Sequence, residues 1–249
     1  MKTKLFGLLA GIGICALAVQ PAAAASFLFQ TPPGSVCGGA VEVCAAQAVI
    51  TTGAGSISVT LTNPVIPPQI ISAGQALSDL SFTLSNAPGT QGTLTAAGQL
   101  ANIGAGGVVT PVGGTPVRWI GQGPPPPGGT GTFTVTGNTI LMEAIGGGQP
   151  SQMILSSLGS FTVANASITN GMFSPFVVGP ASFTLAFSGV TAGTTVTSAQ
   201  FSFGTGPDTF IPGVLVPVPG PIVGAGLPGL VAACGVLLAL ARRRRQLVS

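Results

Sequence analysis

The chain has no histidine and no tyrosine, and of its 249 residues only seven are Lys or Arg and four are Asp or Glu. General acid–base chemistry draws on such side chains set within hydrogen-bond reach of one another, so this inventory points away from an enzyme. The scarcity is sharpest in the middle of the chain. Lys2 and Lys4 lie at one end and Arg242, Arg243, Arg244 and Arg245 at the other, which leaves Arg118 alone against Glu42, Asp79, Glu143 and Asp208, a formal charge of −3. The overall charge of +3 therefore belongs to the ends. No basic patch remains for a nucleic-acid partner.

Cysteine is also scarce. Cys15 and Cys234 fall in the terminal segments, so Cys37 and Cys44 are the pair left to the central region. In an oxidising compartment they are expected to form a disulfide around a short loop, two free thiols being the alternative. A zinc site normally takes four ligands and lacks them here, and no clustered Asp or Asn run supports calcium, so no metal or cofactor is expected.

What is abundant is glycine, proline and apolar matter. There are 39 Gly and 22 Pro, yet 46% of the residues are hydrophobic and 13 are Phe. Disordered chains are poor in aromatics and rich in charge, so the combination indicates a β-fold with many turns. From about residue 48 to 211 the period is two. Ile57, Val59 and Leu61 alternate with Ser and Thr, as do Leu80, Phe82 and Leu84, and Phe183, Leu185 and Phe187; shorter runs occur at Phe133/Val135, Phe161/Val163 and Phe201/Phe203. Such alternation marks strands with one buried and one wet face. Gly137-Asn138 fits a tight hairpin in which Gly at the first central position permits type II′ geometry. With no convincing helical stretch, the expectation is a mainly β domain, an antiparallel β-sandwich or jelly-roll-like fold. Pro124 to Pro127 form the clearest internal break, read as a long surface loop of one sandwich in preference to a linker between two small domains.

The two ends carry addresses. Residues 1–25 have a basic start, an apolar run and small residues before a cleavage point, with Ala23 and Ala25 preceding Ser26, which is the form of a secretory signal peptide. At the far end, residues 222–241 carry no charge, long enough for a helix to span a hydrocarbon core of about 30 Å. Arg242 to Arg245 then hold that end in the cytoplasm, leaving residues 26–215 outside the inner membrane. Between domain and apolar run stands Val216-Pro217-Val218-Pro219-Gly220-Pro221.

A short proline motif, an apolar helix and a terminal arginine cluster, in that order over residues 216–249, resemble the PEP-CTERM sorting region, and Gly224 to Leu230 are similar to tails of exported alphaproteobacterial proteins. The family's central Glu is Val218 here. The resemblance implies recognition by an exosortase, cleavage near the proline motif, and release to the cell surface or matrix in association with exopolysaccharide and biofilm. The same features also describe a permanent membrane anchor, with the prolines as a stiff extended spacer. A carbohydrate-binding role for such an anchored module, or a secreted carbohydrate-active enzyme, are the further readings.

Few side chains suggest a binding site. Arg118-Trp119 is a candidate glycan contact, because Trp stacks on sugar rings and Arg donates in a fixed fork, although a lone Trp in a sandwich more often anchors the core. Nothing in the spacing of the four carboxylates sets a pair astride a sugar bond. Asn165-Ala166-Ser167 has the form of a glycosylation acceptor, and the Gly104–Gly107 and Gly146–Gly148 stretches lack the Lys and helix of a phosphate loop. Uncharged Ser/Thr faces without charged edge residues make self-association through sheet edges a further expectation. The expected partners are thus the secretion machinery, an exosortase, the inner membrane, exopolysaccharide and other copies of the chain.

Overall fold

The computed structural model describes residues 24–37, 42–121, 131–146, 149–156, 159–206 and 210–217. The strands before the proline break are β1 (Ala25–Gln30), β2 (Val36–Cys37), β3 (Glu42–Val43), β4 (Gln47–Gly53), β5 (Ser56–Thr62), β6 (Leu77–Leu84), β7 (Gln91–Ala97), β8 (Leu100–Ile103) and β9 (Val109–Val112). After it come β10 (Thr132–Thr136), β11 (Thr139–Glu143), β12 (Ile154–Leu155), β13 (Phe176–Val178), β14 (Ala181–Phe187), β15 (Val196–Phe203), β16 (Phe210–Pro212) and β17 (Val214–Val216). Among the described residues the one α-helix is the short α1 (Ala166–Thr169).

The protein is mainly β, with two large sheets. One has six strands in the order β17-β1-β4-β5-β14-β7, all antiparallel. The other has nine, running β10-β11-β6-β12-β13-β8-β9 with β15 and β16 joined through β6. It too is antiparallel except where β12 meets β13 in parallel. β2 and β3 form a separate two-stranded sheet. Strands from both sides of the proline break interleave, since β14 lies between β5 and β7 and β11 pairs with β6.

The two sheets bury their alternating faces in a common core, as in a β-sandwich. Ile50, Ile57, Val59, Leu61, Phe183 and Leu185 come from the six-stranded sheet and Leu80, Phe82, Leu84, Ile140, Met142 and Phe201 from the other. Phe133 of β10 stacks on Phe187 of β14 with ring centroids 6.3 Å apart, one direct link between the sheets. Gly213 supplies another. There the chain leaves β16 in one sheet and enters β17 in the other without a loop, and the Gly213 N–H donates to the Ala199 carbonyl at 2.8 Å.

Local chemistry explains the turns. β10 and β11 meet through Gly137-Asn138 with Thr136 opposite Thr139, and Gly137 has φ 59°. Gln152 is the one described non-glycine residue with positive φ, so Asn138 is not left-handed and the turn is type II′, as the sequence predicts. Buried Asn63 and Gln75 tie down the stretch between β5 and β6. Asn63 donates to the Gln75 and Ile154 carbonyls, while Gln75 donates to Val43 and Gln69 and accepts from Ile71.

One expected strand is absent. Phe161 and Val163 alternate in sequence, yet they lie in a turn. Phe161 is buried with its N–H on the Gly107 carbonyl, and Val163 is exposed. Gly107 has φ 73° and an added Cβ would fall against the Phe161 backbone, so that close approach requires glycine. Among the described residues no helix is long and apolar enough to cross a membrane. The expected signal segment as far as Ala23, the Pro124–Pro127 break, the motif from Val218 to Pro221, the span 222–241 and the cluster Arg242 to Arg245 lie outside those residues.

Candidate functional sites

The carboxylates are brought together in a way that their spacing in sequence does not reveal. Alternation along β6 places Leu80, Phe82 and Leu84 inward and Asp79, Ser81 and Thr83 on the opposite face. On that face Asp79 stands directly opposite Glu143 of β11 on one side and Ser202 of β15 on the other. Two of the four acidic residues thus form a cross-strand like-charge pair, an arrangement that disfavours the doubly ionised state. Asp79 is 0% exposed. Burial pushes its carboxyl up to about 7, the neighbouring Glu143 adds to the rise, and Ser202, Ser78 and the Ile145 backbone pull against it.

The Ser78 hydroxyl donates to Asp79 Oδ2 at 3.1 Å, whereas Asp79 Oδ1 and Ser202 Oγ have no partner in good hydrogen-bond geometry. The Ser202 hydroxyl carries a donor of its own, and a protonated Asp79 carries a second. Burial also raises the Glu143 carboxyl, against a hydrogen bond from Thr132. The arrangement favours the protonated form of both carboxyls. With Asp79 enclosed, it offers no opening in which a sugar bond would sit between the two acids.

Glu42 belongs to the β2–β3 ribbon. It accepts from Ser72 Oγ at 2.6 Å, and Asp208 lies outside the described residues. Among the described residues no group of three His, Cys, Asp or Glu side chains could hold a metal ion.

Arg118 and Trp119 lie in a 3-10 turn (Val117–Ile120) and are buried, at 2% and 0% exposure. The Trp119 indole N–H donates to the Gln152 carbonyl at 2.8 Å, and its ring packs tilted against Phe183 at 5.8 Å. Arg118 Nη1 donates to the Gln149 carbonyl and to Ser151 Oγ, and its backbone N–H donates to Gln152 Oε1. Loss of hydration lowers the Arg118 pKa. The pair is a core anchor latched on Gln152, with no ring face open to a glycan. Gln152 carried no sequence signal, because its role depends on a left-handed backbone that only the fold reveals.

Cys37 and Cys44, the expected pair, are brought to disulfide distance across the β2–β3 ribbon, with Cα atoms 5.8 Å apart. Asn165 caps α1, its side-chain oxygen accepting from the Ser167 N–H and hydroxyl. An open cleft of about 590 Å³ is lined by Asn102, Gly104, Thr110, Thr169, Asn170 and Ser174 among others, all uncharged.

The ends of the domain meet at one sheet edge. Ala25 and Ser26, which flank the expected cleavage point, open β1, and Leu28, Phe29 and Gln30 pair with Val216, Leu215 and Val214. Val216, the first residue of the proline motif, is therefore still in the sheet, and Pro217 follows it with no N–H to extend the ladder. Compared with known proteins, the chain matches no family model, no curated protein and no solved structure.

Proposed function

We propose that the chain is a non-enzymatic exported protein of the cell surface or extracellular matrix, sorted by an exosortase through its PEP-CTERM-like tail and associated with exopolysaccharide. The observation that carries this reading is the succession of proline motif, uncharged 222–241 segment and Arg242 to Arg245 directly after the last strand of the domain. The poverty of ionisable side chains supports the absence of catalysis, and the Cys37–Cys44 bridge suits an oxidising compartment. Mass spectrometry of cell-surface material tests it. The mature product is expected to begin at Ser26 and to lack residues 222–245, whereas a product that retains them sinks the proposal.

Val218 in place of the family's Glu favours a second reading, a permanently anchored surface or periplasmic binding module. Fractionation of hosts with and without the exosortase separates the two. An identical membrane-bound product in both selects the anchor.

A further inference from the structure

The six-stranded sheet contains no ionisable side chain. Its segments ASFLFQ, QAVITTG, SISVTLT, QGTLTAA, ASFTLAF and VLV hold only apolar, hydroxyl and amide groups. Its inner face is core. On the outer face the registers set Ser26 opposite Thr51, Thr51 opposite Ser58, Ser58 opposite Thr184 and Thr184 opposite Thr95. A single rank of five hydroxyls therefore crosses five strands, about 19 Å at the usual strand spacing of about 4.8 Å. Ser26, Ser58, Thr95 and Thr184 are exposed and Thr51 is half-buried.

The next rank along the strands is mixed: Leu28 and Val49 are followed by Thr60 and Ser182. Hydroxyls on this face already lie in contact across strands, Ser26 with Thr51 at 2.8 Å and Thr60 with Ser182 at 3.4 Å, so their orientations are partly fixed before any ligand arrives. The face is thus a preset grid of donors and acceptors beside a short apolar strip.

Its chemistry selects its occupant. A charged ligand finds no charged side chain on the sheet. A protein surface laid on the grid would bury hydroxyls without returning a partner to each, at a cost for every group left unsatisfied. A polyhydroxylated chain returns hydroxyl for hydroxyl along its edges and sets its C–H faces on the Leu28 and Val49 strip.

We propose that the outer face of the six-stranded sheet binds an extended neutral polysaccharide, with Ser26, Thr51, Ser58, Thr184 and Thr95 as the hydrogen-bonding rank. The inference deepens the proposed role and rests on the reading that the protein works in a polysaccharide matrix. The test is retention of the full chain, purified in detergent, on microcrystalline cellulose and cross-linked dextran, with alginate beads as the charged control. Retention on at least one neutral glycan and none on alginate is expected. The triple variant T51V/T95V/T184V keeps shape and strand propensity and is expected to lose at least tenfold in bound fraction at an unchanged unfolding midpoint. Thr95→Lys on the edge strand, a separate single change, is expected to lose binding as well.

No retention of the parent chain on either neutral glycan overturns the proposal, as does equal retention of a folded triple variant. A concentration-dependent dimer that the same substitutions convert to monomer in sedimentation overturns it too, assigning the face to a second copy. Deleting the exosortase changes tail processing and leaves retention unchanged, so failure of the sorting reading and failure of the glycan face give different results.

Discussion

Leu28 and Val216 are cross-strand neighbours on the outer face of the six-stranded sheet. One is the third residue after the expected signal cleavage point and the other opens the proline motif, so the first strand of the sheet and the last pair at the same edge. Continuing the register sets Pro217 opposite Phe27, where proline cannot donate to the ladder. The sheet therefore hands the chain over to the motif at a position fixed by pairing.

That handover depends on Gly213. A Cβ there would lie 3.0 Å from the Phe201 ring, 3.1 Å from the Ala199 carbonyl and 3.3 Å from Phe29 Cβ, all parts of the packed core. Gly213→Ala is expected to destabilise the domain by about 1–3 kcal/mol, as overpacking does. Denaturant unfolding measures the loss, and limited proteolysis should show earlier cutting around β17. An unchanged midpoint would mean that the crossing accommodates a methyl group.

The Asp79 carboxyl gives the fold a pH dependence of unusual sign. The folded group holds its proton up to about 7, against an ordinary value of 3.8. Its contribution is most favourable below about pH 4, declines as the unfolded chain ionises first, and levels off above about pH 7. At about 1.4 kcal/mol per unit the fall amounts to about 4 kcal/mol. Glu143, raised by burial, pushes in the same direction. Asp79→Asn is expected to flatten most of the decline and to be more stable than the parent at pH 8 but not at pH 4. Unfolding at both values decides it, and a parent more stable at pH 8 than at pH 4 contradicts the assignment.

Alternation in the sequence made β5, β6, β14 and β15 legible, because one-sided burial forces a period of two on Ile57, Leu80, Phe183 and Phe201. The same signal misled at Phe161, a buried anchor in a turn, where two apolar residues two apart arise without a ladder. Partners across strands were not legible. That Asp79 faces Glu143, and that five hydroxyls from β1, β4, β5, β14 and β7 share one rank, follows from strand order and register. These depend on how distant segments meet, which local periodicity does not encode.

Trp119 is the chain's one tryptophan, so its emission reports a single site. Complete burial against Phe183 with the indole N–H on the Gln152 carbonyl predicts blue-shifted fluorescence, protected from iodide until the protein unfolds. Trp119→Phe leaves that carbonyl without its donor and is expected to cost about 1–3 kcal/mol. Retention on the neutral glycans should not change. Loss of retention by a folded Trp119→Phe variant would return the sugar contact to this ring.

The Cys37–Cys44 bridge closes a loop with a sequence separation of 7. Chain-entropy arguments give so short a loop about 2–3 kcal/mol, at the lower end of the range for disulfides. Both cysteines are buried members of the core cluster, so alanine at both positions also removes two sulfur atoms from it. C37A/C44A is expected to unfold at a lower denaturant concentration than the oxidised parent, by an amount equivalent to about 2–3 kcal/mol. Reduction with dithiothreitol should bring the parent close to the variant, since the constraint on the unfolded chain is then lost in both. A parent indifferent to reductant would show that packing of the ribbon, and no covalent constraint, holds β2 against β3.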